Sequence, residues 1–148
     1  MQKGQTHWDN AQKYRSDLSP IRPMNNVKIY GADTGKYGTT RNGLERFWRN
    51  IFGGLASARF HRPPNGLGLT ETAQASIESM RALTDEMDIF SCEPHNDLLS
   101  NREENEAYTI ANPGAEYAVY FSKGGSVVLN LSIGKKVDAT NVLIRWRN

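Results

Sequence analysis

The chain has 148 residues and a formal charge of +2, from 18 basic and 16 acidic side chains. That size fits one domain, or one with a small companion, and the charge balance argues against a surface built for nucleic acid or an anionic membrane. Hydrophobic residues make up 38%, low for a self-sufficient globule; no run of 18 apolar residues offers membrane insertion, and Cys92 stands alone, so no internal disulfide forms.

The first segment, "HWDNAQKYRSDLSPIRP", predicts a short polar helix with Asp9 as N-cap, then a proline-bounded loop. Met24–Tyr30 carries Val27, Ile29 and Tyr30 in its second half and reads as a strand. Residues 31–43 hold four glycines in 13 positions and must be a loop. Leu44, Phe47, Trp48, Ile51 and Phe52 then recur at helical spacing, with Arg46, Arg49 and Asn50 off the stripe. Thr39 or Thr40 caps this helix, and Gly53 and Gly54 end it.

Leu55–Phe60 contains no turn residue and predicts a strand covered on both faces, as in parallel sheets. "PPNGLGL" is a further loop. Ala73, Ile77, Met80, Leu83 and Met87 keep helical spacing from Thr70 to about Asp88. The order is strand, loop, helix, strand, loop, helix, which is the βα repeat of a parallel sheet.

After Phe90 the composition changes. "SCEPHNDLLSNREENEAY" is polar and contains Pro94, which suits a linker packed at a domain join. It mixes Cys92, Glu93, His95 and Asp97, and an Asx-type turn at Asn96–Asp97 explains that mixture better than a nucleophile or a ligand cluster. Glu93 can still project toward the end of the preceding sheet. From Ala107 the period is two. Asn-Pro-Gly at 112–114 and Lys-Gly-Gly at 123–125 separate three runs, and "NVLIRWR" closes the chain, predicting an antiparallel meander that forms half of a β-sandwich.

In parallel sheets, ligands bind at the carboxyl ends of strands. Arg59, His61 and Arg62 stand at that end of the second strand; a solvated strand-end cap and a ligand-facing role account for them equally well. His7, His61 and His95 lie far apart and show no metal-ligand spacing, so no metal and no cofactor are expected.

The stretches "RPMNNVKIYG", "FWRNIFGGLASARFHRP", "CEPHNDLLSNREENEAY" and "IANPGAEYAVYFSKGGSVVLNL" resemble the C-terminal part of apiosidase-like glycoside hydrolases, and the resemblance spans nearly the whole chain. It implies an α/β plus β fold. Residues 1–90 would be the last strands and helices of a (β/α)8 TIM barrel, and residues 91–148 a linker and truncated antiparallel β-sandwich of the kind labelled collagen-binding. "MQKG" would end the sixth barrel strand, "MNNVKIYG" would be the seventh and "ASARF" the eighth.

The resemblance also implies a secreted or periplasmic parent, although this chain opens with no signal peptide. Its partner would be a polysaccharide or oligosaccharide, with no nucleic acid and no membrane insertion. The oligomeric state stays open. Lys28, Tyr30, Asp33, Arg59 and His61 would line the sugar-binding face, with Trp8 and Tyr37 as further aromatic platforms.

Glycoside hydrolysis uses two carboxylates. In this barrel class they are expected at strands four and seven. Strand four lies outside this chain, and Asn25–Lys28 brings no Glu, so the catalytic residues are unknown and the chain alone is expected to be inactive. The alternative is a non-catalytic carbohydrate- or protein-binding module, which an exposed aromatic row on the sandwich would favour.

Overall fold

The computed structural model describes residues 5–26, 38–58 and 69–131. They form a mixed α/β structure with three α-helices, one short parallel strand pair and antiparallel sheets. Among the described residues no helix is long and apolar enough to cross a membrane.

Helix α1 spans Gln5–Ser16. It begins before Asp9, which therefore lies inside the helix and does not cap it. Strand β1 (Asn25–Asn26) pairs in parallel with β2 (Ser57–Ala58), with Asn25 opposite Ser57 and Asn26 opposite Ala58. The pairing extends back through the Ala56 N–H, which donates to the Met24 carbonyl at 2.9 Å. Between the two strands runs α2 (Thr40–Phe52).

Thr39 is the N-cap of α2, and it forms a reciprocal box with Asn42. The Thr39 hydroxyl accepts from the Asn42 N–H at 3.3 Å, and Asn42 Oδ1 accepts from the Thr39 N–H at 3.0 Å. Two of the four orphan N–H groups near the helix start are satisfied this way. At the other end Gly53 donates to the Arg49 carbonyl at 2.8 Å, and Gly54 takes the left-handed φ of +76° that turns the chain toward β2.

Helix α3 (Glu71–Glu86) starts on Thr70, whose hydroxyl accepts from the Ala73 N–H at 3.2 Å. Beyond a 3-10 turn at Ile89–Ser91 come β3 (Glu93–Pro94), a second 3-10 turn at Asn96–Leu98, β4 (Leu99–Ser100), β5 (Ala107–Asn112), β6 (Glu116–Phe121) and β7 (Val128–Leu129). The polar segment predicted as a linker is thus built into sheet: β3 pairs with β5, and β4 with β7, both antiparallel. Strands β5 and β6 form the predicted hairpin across Asn-Pro-Gly.

The third run departs from a meander. It pairs with β4 and not with β6, and the Asn130 N–H donates to the Leu98 carbonyl at 2.8 Å. The cause lies in the turn. Ser122 ends the hairpin by donating its N–H to the Glu106 carbonyl at 2.9 Å. Gly124 and Gly125 then take φ values of +81° and +134°, and Glu106 Oε1 accepts from the Ser126 N–H at 3.1 Å. The chain is led away from the β6 edge toward the edge that Leu99–Ser100 offers.

One core joins the helices to the sheet. It contains Phe47, Trp48, Ile51 and Phe52 of α2, Leu83 of α3, Cys92, and Tyr108 and Ile110 of β5, with Trp8 and Tyr120 packed against it. Each large apolar side chain buried here contributes about 1.5–3 kcal/mol. Tyr108 and Tyr120 stand directly opposite on β5 and β6, with ring centroids 6.5 Å apart. Trp48 stacks on Tyr120 at 6.1 Å.

The four large members of the predicted stripe, Phe47, Trp48, Ile51 and Phe52, are buried, while Leu44 is only half-buried. The other side of α2 is not solvated as its polar residues suggest. Arg49 and Asn50 are 3% and 0% exposed, because α1, α3, β2 and β5 enclose the helix together.

Candidate functional site

The parallel pair fixes where a site of this architecture would lie. β1 and β2 run in the same direction, side by side. Lys28 follows β1 in the sequence by two residues, and Arg59 follows β2 directly. Lys28, Tyr30, Asp33, Arg59 and His61 all lie outside the described residues, as do Tyr37 and "MQKG".

What the described residues show beside these strands is a polar cluster, buried on α2 and half-buried at Asn26 and His7. α2 supplies Glu45, Arg49 and Asn50; β1 supplies Asn26; α1 supplies His7. Arg49 Nη2 donates to Glu45 Oε2 at 3.0 Å, and both side chains are under a tenth exposed. Arg41, one turn earlier and largely exposed, donates to Glu45 Oε1 at 3.2 Å and to the Ser122 carbonyl at 2.9 Å. The result is a charge ladder at i, i+4 and i+8 that ties α2 to the end of β6. Sequence reading missed it. The signal was present as Arg-x-x-x-Glu-x-x-x-Arg, but a search for apolar periodicity passes over it.

Asn26 Nδ2 donates to His7 Nε2 at 3.2 Å and to Asn50 Oδ1 at 3.4 Å, so α1, β1 and α2 share one polar junction. Burial holds the His7 imidazole down at about 4, and the positive charges of Arg49 and Arg46 add to that effect. His7 is therefore neutral in ordinary solution. Gln12 of α1 closes the same interface, donating to the Gly53 carbonyl at 2.8 Å.

Trp8, considered as a sugar platform, packs instead into the core, with its ring 6.1 Å from Tyr108. Tyr108 donates its hydroxyl to Asn105 Oδ1 at 2.7 Å and lies under the Arg102 guanidinium, 5.1 Å from the ring centroid. Burial raises its phenol to about 12, so it remains a neutral donor. Burial also raises Tyr120, with Glu45 adding to the effect.

On β6, Tyr120 turns into the core, while Tyr117 and Phe121 are half-buried and Tyr117 accepts from the Gly114 N–H at 2.6 Å. No exposed aromatic row is present among the described residues of this sheet.

The Cys92–Asp97 segment is accounted for by structure. Cys92 is buried in the core, and burial raises its thiol, the opposite of what a nucleophile needs. Glu93 is turned to Arg15 of α1 in an ion pair. Asn96 Oδ1 accepts from the Thr109 N–H at 2.9 Å, and His95 Nδ1 meets Asp97 Oδ1 at 3.1 Å. Among the described residues, no three His, Cys, Asp or Glu side chains are grouped to hold a metal ion. No family model, curated protein or solved structure matches this chain.

Proposed function

We propose that this chain is the C-terminal part of a glycoside hydrolase that acts on polysaccharide: the last units of a (β/α)8 barrel of the apiosidase-like kind, followed by a small β-sandwich. One observation carries the reading. β1 and β2 pair in parallel with α2 between them, α3 follows β2, and an antiparallel sheet comes next. That order is what the end of such a barrel with an appended β domain requires.

In this reading the carboxyl ends of β1 and β2 carry the sugar-binding face. Arg59 and His61 donate to hydroxyls, Asp33 accepts from them, and Tyr30 offers a flat apolar ring, with Lys28 beside it. Sugars present many hydroxyls, and fixed donors and acceptors discriminate among them. The chain by itself turns over nothing, because cleavage uses a second carboxylate from an earlier strand.

The test is made in the longer parent enzyme. Arg59→Ala and His61→Ala should each lower polysaccharide turnover or affinity at least about tenfold. That corresponds to roughly 1.4 kcal/mol, the scale of one hydrogen bond to a positioned group. Unchanged turnover and unchanged melting temperature in both variants would overturn the assignment. A fall in stability alone would make these residues strand-end caps.

A further inference from the structure

The junction of α1, β1 and α2 holds three side chains whose hydrogen bonds are linked. Asn26 directs its amide nitrogen at both His7 Nε2 and Asn50 Oδ1. An amide nitrogen only donates. With that nitrogen facing it, Nε2 presents a lone pair and neutral His7 carries its proton on Nδ1; with the amide oxygen there, the proton sits on Nε2. His7 Nδ1 and Asn50 Nδ2 are both buried, and neither has a hydrogen-bond partner among the described residues. Asn50 is 0% exposed.

A second pattern fits the same heavy-atom positions. When the two amides exchange oxygen for nitrogen, Asn26 Oδ1 faces the ring and accepts from Nε2–H. The same oxygen accepts from Asn50 Nδ2, which gains a partner. Of the two patterns, an imidazolium tolerates only this one, because both of its nitrogens donate.

We propose that His7, Asn26 and Asn50 form a proton-coupled amide relay: when Nε2 of His7 takes a proton from solvent, both amides turn over, and the change passes from α1 through β1 to α2. No covalent bond changes. The charged groups around the ring set the direction. Arg46 and Arg49 of α2 oppose the proton, Glu45 pairs with Arg49, Asp9 and Lys13 lie on the same helix as His7, and the described part of β1 has no titratable side chain. The relay is therefore at rest in neutral solution and is driven by acid. It holds whether or not the chain serves a glycosidase.

Nitrogen-15 NMR of the full chain, titrated from neutral to about pH 3, tests it. At neutral pH the His7 ring should be the Nδ1–H tautomer, with a scalar coupling across the hydrogen bond between Asn26 Nδ2 and His7 Nε2. On protonation that coupling should vanish, and the side-chain amides of Asn26 and Asn50 should shift with the same midpoint as the ring. In Asn26→Ala the Asn50 amide should lose this titration. An Nε2–H tautomer at neutral pH, amides that ignore the ring, or unfolding before the ring titrates would each overturn the relay. So would an Asn50 titration that persists in Asn26→Ala, since that would be the direct field of the imidazolium.

Discussion

Replacing Glu45 by Gln should destabilise the protein by about 3 kcal/mol. The side chain is 8% exposed, and its partner Arg49 is 3% exposed, so the substitution removes a carboxylate from beside a buried guanidinium. Losing one member of such a pair costs about 3–5 kcal/mol. The lower end applies because the Gln oxygen still accepts from Arg49 at the same place.

Arg41 gives the internal contrast. It pairs with the same carboxylate at 3.2 Å, but its side chain is 57% exposed. Water screens that pair to well under 1 kcal/mol, and its bond to the Ser122 carbonyl adds about 1, so Arg41→Ala should cost at most about 1.5 kcal/mol. Urea unfolding followed by tryptophan fluorescence reports both variants, since Trp48 sits in the core beside this helix face. In a chain of this size about 3 kcal/mol lowers the melting temperature by roughly 6–12 °C. If Glu45→Gln costs less than about 1 kcal/mol, or less than Arg41→Ala, then the ladder is a surface feature and the enclosure of α2 is wrong.

Gly54→Ala should cost about 1–2 kcal/mol by thermal melting: φ is +76°, and a Cβ there would meet Arg15 Nη1 at 2.6 Å; a neutral or stabilising change would contradict this turn. Thr39→Ala removes the capping box of α2 and should cost about 1 kcal/mol, read by circular dichroism during urea unfolding, whereas Thr40→Ala should cost less. His7 gives a pH dependence of fixed sign. Its folded value of about 4 lies below the ordinary 6.5, so between those values the unfolded chain binds more protons. Stability is then full above pH 6.5, is lost as pH falls from 6.5 toward 4, and levels off below it. Because the residue is only half-buried, about 1–2 kcal/mol is at stake, and His7→Gln should flatten the stability curve across that window; an unchanged slope would show that other groups carry it.

The starts of α2 and α3 were legible because they are local. Thr39 and Thr70 each stand three residues before the N–H that their hydroxyl accepts from, and that spacing is visible in any window of four. The hairpin across Asn-Pro-Gly was legible for the same reason. The partner of β7 was not. Leu99 and Leu129 are 30 positions apart, in strands of two residues each, and such a pairing is chosen by what the Gly124–Gly125 turn permits and by which edge lies free. Asp9 misled because a good capping residue is also tolerated inside a helix. Arg49 and Asn50, off the stripe, are buried as well, because polarity predicts exposure only where nothing else covers the face.

The buried side of α2 bears on the site more than the stripe does. Phe47, Trp48, Ile51 and Phe52 would hold the helix on a sheet in many folds, and they specify little about which strand it crosses. Asn50 and Asn26 specify it, because the wholly buried Asn50 amide accepts few neighbours and Asn26 is one of them. Asn50 also accepts the Leu55 N–H on its backbone carbonyl at 3.0 Å, so one residue holds both the β1 side and the approach to β2. The two strands whose carboxyl ends lead into the candidate sugar-binding residues are thereby registered against each other through α2. A substitution at Asn50 should disturb both strand ends together, and a substitution on the apolar stripe should lower stability without shifting their register.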